Sequence, residues 1–460
     1  MKHPATLDDK QHYMTHTPVW RLVLRMAVPS ILSMLVTATY NVVDAVFIGR
    51  LSTEATAGIG ISFAYMTFIQ AVGFFFGHGS GNYISHQLGG RHYGRAVRMA
   101  SLGFACPMAI GTVAAVLGLL FLAPLVRLLG ATPTVEPYAC DYLRYIVMAT
   151  PVMMTAFTLN NQLRLQGNAH LGTLGIASGA LLNMALDPLF IFVLDMGVAG
   201  ASLATAVSQL TSWAILLCLT HRKDCVHIDL RQARPSSFLI KEIVRCGLPS
   251  LCRQVLLCLG AVCLNYSAVH YAEQGSEDAA LAAFSVVTRI MMFAFSVVLG
   301  LCQGFQPVCG FNYGARRYDR VRQAYLFTIS VGTLFLIIIG TVGYVWAPTV
   351  VAWFRGEDST LIAIGARTMR WQCIAYPLVG LSTATNMLFQ NLGYTLRASL
   401  LSSARSGLVL IPVLWLTGLM MGLPGVEAAQ AIADVITFGI ALPQAIWISH
   451  RLSRTTATGE

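Results

Sequence analysis

The sequence predicts an all-α integral membrane protein: twelve transmembrane helices in two pseudo-symmetric six-helix lobes around a central cleft. Three observations predict it. Of 460 residues, 56% are hydrophobic and 11% charged, with a mean hydropathy of +0.65, against about 25% charged in soluble domains. Twelve apolar runs are each long enough to cross a bilayer, which takes about 20 residues. Lysine and arginine collect in every second connection. The net charge of +10 is thus spread over connections rather than gathered on one face. That pattern belongs to membrane topology and argues against nucleic acid as a partner.

Taken in order, the spans are expected at 24–48, 57–80, 97–120, 138–162, 170–194, 197–220, 243–270, 279–303, 322–346, 363–389, 396–420 and 426–449. The polar start lacks the apolar core and small-residue cleavage site of a secretory leader, so the first span is expected to remain. The longest polar connection, His221–Lys241, divides the chain into an N-terminal lobe (1–220), a cytoplasmic linker (221–241) and a C-terminal lobe (242–460). Twenty-one lysines and arginines lie at one set of span ends, against Arg50, Arg127 and Arg355 at the other. Both termini are therefore expected in the cytoplasm, with the protein multi-pass in a cell (inner) membrane.

The halves repeat. Leu88–Arg95 (LGGRHYGR) matches Tyr313–Arg320 (YGARRYDR), and Pro29-Ser30 matches Pro249-Ser250. Pro151 matches Pro377, and Gly197-Val198 matches Gly425-Val426. Six spans per half is an even number, so both halves share one topology about an axis along the membrane normal. A cleft between them is the natural substrate site.

Chemistry concentrates in the N-terminal lobe. Asp44 stands in the first span with no lysine or arginine nearer than Arg50. An aspartate at the centre of a span costs about 2.5–3.5 kcal/mol on insertion scales. At ~1.5 Å per residue, Asp44 lies about 9 Å below the outer surface, and Asp187 and Thr205 about 12 Å below it. Tyr40 is one turn from Asp44, and Asn183 one turn from Asp187, each on the same helix face. Two carboxylates in a low-dielectric pocket do not both ionise cheaply, so such a pair can hold a proton near neutral pH. The oxygens of Asp44, Asn183 and Asp187 could instead ligate sodium. The C-terminal lobe does not repeat this layer: Val409 and Val413 stand at the matching positions, and only Asp434 looks embedded. Its spans instead contain Arg253, Arg289 and Arg405. These read either as braces between helices or as a positive wall favouring anionic substrates.

Other classes are excluded. There is no Walker motif, and Gly77–Gly81 has no strand before it, so direct drive by ATP is not expected. The eleven cysteines form no CxxC pair, which argues against zinc or a disulfide framework. An enzyme would need paired acids or a histidine at a membrane surface with a sizeable extramembrane loop. None is expected here, nor any cofactor beyond a coupling ion, H+ or Na+.

With these residues in hand, the chain resembles a multidrug and toxic compound extrusion (MATE) transporter over about residues 18–450. Pro29, Tyr40–Asp44, Gly49, Leu88–Arg95, Leu163–His170, Asn183–Pro188 and Gly197–Thr205 carry the resemblance by their order and spacing. It implies a cation-coupled antiporter of small, drug-like organic compounds that works by alternating access, with a proton favoured over sodium. It is most similar to the DinF-like branch, whose coupling site matches Asp44, Asn183 and Asp187, supported by Tyr40 and Thr205. The resemblance makes Asn160 a cavity position and Pro29 a helix hinge, and implies a monomer. The alternative is a flippase or exporter of anionic or lipid-linked substrates that uses Arg253, Arg289 and Arg405.

Overall fold

The computed structural model describes residues 6–48, 53–272, 275–353 and 359–458. The helices, in order, are α1 Leu7–His16, α2 Val19–Ile48, α3 Thr53–Gly89, α4 Tyr93–Leu120, α5 Leu122–Leu128, α6 Glu136–Leu165, α7 Ala169–Pro188 and α8 Gly197–Leu219. There follow α9 Ser237–His270, α10 Glu277–Gly314, α11 Tyr318–Val345, α12 Ala347–Ala352, α13 Ser359–Leu392, α14 Thr395–Ser403, α15 Leu410–Met421 and α16 Leu423–Thr458. No strand occurs among the described residues. Each of the twelve expected runs falls on a long helix, α14 and α15 together forming the eleventh. Eleven of these are apolar enough to count as spans by length and composition. The exception, α13, is as long, but Arg367, Arg370, Gln390 and Asn391 lower its hydropathy.

Two π-helical turns interrupt the regular pattern. One, Leu189–Val193, continues α7 just after Pro188. The other, Ala404–Leu408, joins α14 to α15 and carries Arg405.

The repeat is visible in the backbone. Arg91 and Arg316, 225 residues apart, both take left-handed conformations, φ 61° and 58°. Each closes its helix with the same pattern: His92 N bonds Gln87 O, and Arg317 N bonds Asn312 O. Non-glycine residues enter this region only where the surroundings demand it.

α3 and α10 run nine and eleven residues past the expected spans. A hydropathy reading ends them early because Asn82, Ser85, Gln306 and Asn312 follow. These polar residues are buried, against the other lobe. Backbones meet there across glycine. A Cβ at Gly304 would collide with Ala27 of α2, and one at Gly247 with the Phe75 carbonyl of α3. Every interlobe hydrogen bond among the described residues lies between the end carrying the basic loops and the level of Gln254–Gln70, 3.1 Å. The bundle is closed at its basic end.

The sequence reading had no helix at the polar start, yet α1 forms there. Its signal is the capping box of Thr6 and Asp9, each side chain bonded to the other's backbone N–H at 3.2 Å. α1 straps the closed end: Gln11 Nε2 donates to Gly89 O (3.2 Å), and Asn312 Nδ2 to Met14 O (3.1 Å). Lys10, only 2% exposed, reaches the Asp224 carbonyl and carboxylate. Burial pushes the Lys10 ammonium below its usual range. Burial pushes the Asp224 carboxyl up, but Lys10 and Arg222 more than offset this and hold it low.

Removing one member of a buried pair strands the other and costs about 3–5 kcal/mol. When Lys10 is replaced Asp224 keeps Arg222 at 3.1 Å, whereas no carboxylate other than Asp224 faces Lys10 among the described residues. Thermal unfolding in detergent is therefore expected to show a larger loss for Asp224→Ala than for Lys10→Met. Because the carboxyl lies below its unfolded value, this contribution holds above about pH 4 and fades as the pH falls through the folded value.

Candidate functional site

The polar layer of the N-terminal lobe forms where α7 and α8 pack together. Asp187 is fully buried, and Asn183 and Thr205 are each 2% exposed. One turn separates Asn183 from Asp187 on α7, so Asn183 Nδ2 donates to Asp187 Oδ1 (3.2 Å), and across to Thr205 Oγ1 of α8 (3.4 Å). With both Nδ2 bonds made inward, Asn183 Oδ1 has no partner among the described residues. A buried acceptor left over in this way suits a proton donor or a cation. The side chains of Tyr40 and Asp44, on α2, lie outside the described residues.

Asn183 and Thr205 line a cavity of about 110 Å³ together with Thr37, Gln70, Asn160, Ser208, Gln209 and Ser212. It has room for several waters, but it is smaller than the roughly 300–1,000 Å³ of sites for drug-sized molecules. The cavity suits an ion and its water; a larger substrate needs the cleft between the lobes. Asn160, expected in the substrate cleft, lines this smaller cavity. Ser208, Gln209 and Ser212 were missed. Their signal is in the sequence, since with Thr205 they stand at i, i+3, i+4 and i+7, one polar face of α8. Pro29 lies inside α2, where its missing N–H interrupts the helical ladder; its carbonyl accepts from Thr173 Oγ1 of α7 at 2.7 Å. No group of three or more His, Cys, Asp or Glu side chains that could hold a metal occurs among the described residues.

The C-terminal lobe is built otherwise. Arg405 Nε donates to Asp434 Oδ1 at 2.9 Å, Gln430 adds a bond at 3.2 Å, and the guanidinium lies 4.4 Å above the Phe295 ring. Arg405 thus braces its π-helical turn against α16 through the Asp434 carboxylate. Glu427, near the start of α16, is buried, and Arg367 grips both its oxygens at 2.8–3.3 Å. Arg289 is exposed and Arg253 half-buried, and neither has an ion-pair partner among the described residues. The three arginines are not joined by any hydrogen bond among the described residues.

Arg164 stands in the last turn of α6, at the basic end as expected, but it is buried at the interface between the lobes, bonded to Gln303 O and Gln306 Oε1 at 3.0 Å and to Asn161 Oδ1 at 2.6 Å. Its remaining contact is His78 Nε2 at 3.2 Å. Because a guanidinium only donates, that nitrogen must accept. His78 is then neutral, with its proton on Nδ1, between Phe74 O (3.1 Å) and Ser250 Oγ (3.2 Å). Asn391 Nδ2 to Asn82 Oδ1, 2.8 Å, completes the closure.

The pattern of the MatE family matches residues 29–189 and again 249–416, one match in each half. The chain belongs to the MatE family. This MatE chain is 24% identical over 432 residues to the multidrug export protein MepA of Staphylococcus aureus (strain MRSA252), covering 93% of each. To MepA of Staphylococcus haemolyticus (strain JCSC1435) it is 24% identical, covering 97% of each. Among solved structures, a MATE in complex with MaL6 superposes with a TM-score of 0.89 at 25% identity, over 97% of this chain and 99% of that one. An outward-facing multidrug resistance MATE transporter superposes at 0.87, also at 25% identity, over 96% and 98%. MatE proteins are membrane transporters of multidrug export rather than enzymes, and their twelve helices stand in two lobes.

Proposed function

We propose that this MatE protein is a cation-coupled antiporter exporting small organic, drug-like compounds by alternating access, with the proton as the favoured coupling ion. The observation that carries this is the buried Asp187–Asn183–Thr205 group beside a small cavity in one lobe, which Asn183 and Thr205 help to line. An ion entering there changes the charge of a buried carboxylate group, and a ligand shifts a conformational equilibrium only through such a difference between states. Asp44, on α2, is assigned to the same group, and Pro29 to a hinge that lets α2 bend as the group loads. The basic end, closed in this structure, is assigned to the cytoplasm from its excess of lysine and arginine. The bilayer is that of a cell (inner) membrane, and the working unit is a monomer.

The anionic-substrate alternative loses its strongest member, because Asp434 neutralises Arg405. Export of a fluorescent organic cation from cells is the test. Asp44→Asn is expected to abolish it with normal expression and membrane insertion. Normal export by a well-expressed Asp44→Asn protein would remove Asp44 from the mechanism.

A further inference from the structure

A second cavity, of about 720 Å³, lies at the basic end, away from the ion site and from the contact between Arg164 and His78. Arg95 and Arg98 of α4 line it, with Arg231 and Arg234 from the connection between the lobes, Tyr83 of α3 and Phe238 of α9. An adjoining cavity of about 540 Å³ shares Arg95 and Arg98 and adds Arg91. None of the four arginines around the first cavity has an ion-pair partner among the described residues. The nearby acid Glu242 is turned to Arg245 at 3.5 Å, and Asp229 accepts from the Arg231 backbone N–H and Gln232 Nε2. Tyr83 is 7% exposed, yet its hydroxyl has no hydrogen-bond partner among the described residues, and it borders the cavity. α4 and α9 both begin here, and neither has an acidic residue in its first turn. Their free N–H groups therefore add positive potential. Beside the cavity Phe238 is 58% exposed, Leu230 63% and Ile240 45%.

We infer that this cavity is a binding site for the phosphate of an anionic phospholipid. Unpaired guanidinium forks match phosphate oxygens in pairs, and a basic pocket at the edge of a membrane takes a lipid headgroup. Tyr83 gives a hydroxyl to the same phosphate, while Phe238, Leu230 and Ile240 face the acyl chains. The bound headgroup joins α3 and α4 of one lobe to the connection and the start of α9 of the other, so it favours the state closed at the basic end. The assignment does not depend on the coupling ion or on the exported substrate.

Native mass spectrometry of the full chain tests it, with phosphatidylglycerol, phosphatidylcholine and inorganic phosphate titrated separately. The expected preference for phosphatidylglycerol over phosphatidylcholine is at least about tenfold. It falls to near unity in Arg95→Gln/Arg98→Gln/Arg231→Gln/Arg234→Gln. It persists in a control with equal charge loss elsewhere, Arg21→Gln/Lys223→Gln/Arg316→Gln/Arg451→Gln. Should the quadruple variant not fold, Arg95→Gln/Arg98→Gln and Tyr83→Phe are each expected to weaken the preference severalfold. Equal loss in the control, an unchanged preference in the cavity variants, or displacement of phosphatidylglycerol by inorganic phosphate at equal concentration would each overturn the inference.

Discussion

Asp187→Asn is expected to reduce gradient-driven export by at least about tenfold while the protein folds and inserts normally. The amide matches the carboxylate in shape and can still bond Asn183, whose own amide can turn over to present Oδ1. Packing between α7 and α8 therefore survives. What is lost is a group that can gain and lose a charge. Asp187 is fully buried, so binding of a proton or sodium lowers the charge carried in a low-dielectric site, and its release restores that charge. Without that change the two states of the transporter respond equally to the outside cation, and the gradient does no work. Asp187→Glu keeps the charge chemistry but pushes a longer side chain into a filled layer, so partial activity is expected. Full export by Asp187→Asn in reconstituted vesicles would place the coupling elsewhere.

Arg164→Met is expected to open the basic end. Its two bonds across the interface, to Gln303 O and Gln306 Oε1, are bonds from a charged donor, each worth about 1.5–3 kcal/mol net. Methionine fills the space and relieves the burial of the guanidinium, which offsets part of that loss. It also leaves His78 Nε2 and Gln306 Oε1 without the donor they face in the closed state, whereas water meets them in the open one. The closed state thus loses about 2–4 kcal/mol, a shift of roughly thirty- to a thousandfold. Hydrogen exchange is expected to quicken in the last turns of α3 and α10, which the other lobe covers. Unchanged exchange there would contradict the role given to Arg164. Protonating His78 acts in the same direction, because it would set a second donor against Arg164. The charged groups facing His78 are Arg164 and Arg253, both cations.

The chain declared its spans because a bilayer demands about 20 apolar residues, a local property of sequence. The polar layer was legible for the same reason: Asp187, Asn183 and Thr205 are conspicuous inside apolar runs, and helical geometry sets their depth. The contact between the lobes was not. Asn82, Ser85 and Gln306 look like residues past a membrane edge, but are buried because another helix, not water, lies against them. Arg164 and Glu427 stand near helix ends, but their burial was not legible, for one reason. Their partners, Gln306 and Arg367, stand 142 and 60 residues away in the chain. α1 was missed although its capping box is local, since a ten-residue polar helix is stable only when docked.

The central claim is that a cation at the N-terminal lobe drives export. It is tested most directly by efflux of an organic cation from liposomes holding the purified protein, under an imposed pH gradient or an imposed sodium gradient. The account predicts efflux driven by the pH gradient alone and lost in Asp187→Asn. Efflux that persists in Asp187→Asn, or that runs equally with no gradient of either ion, would contradict it.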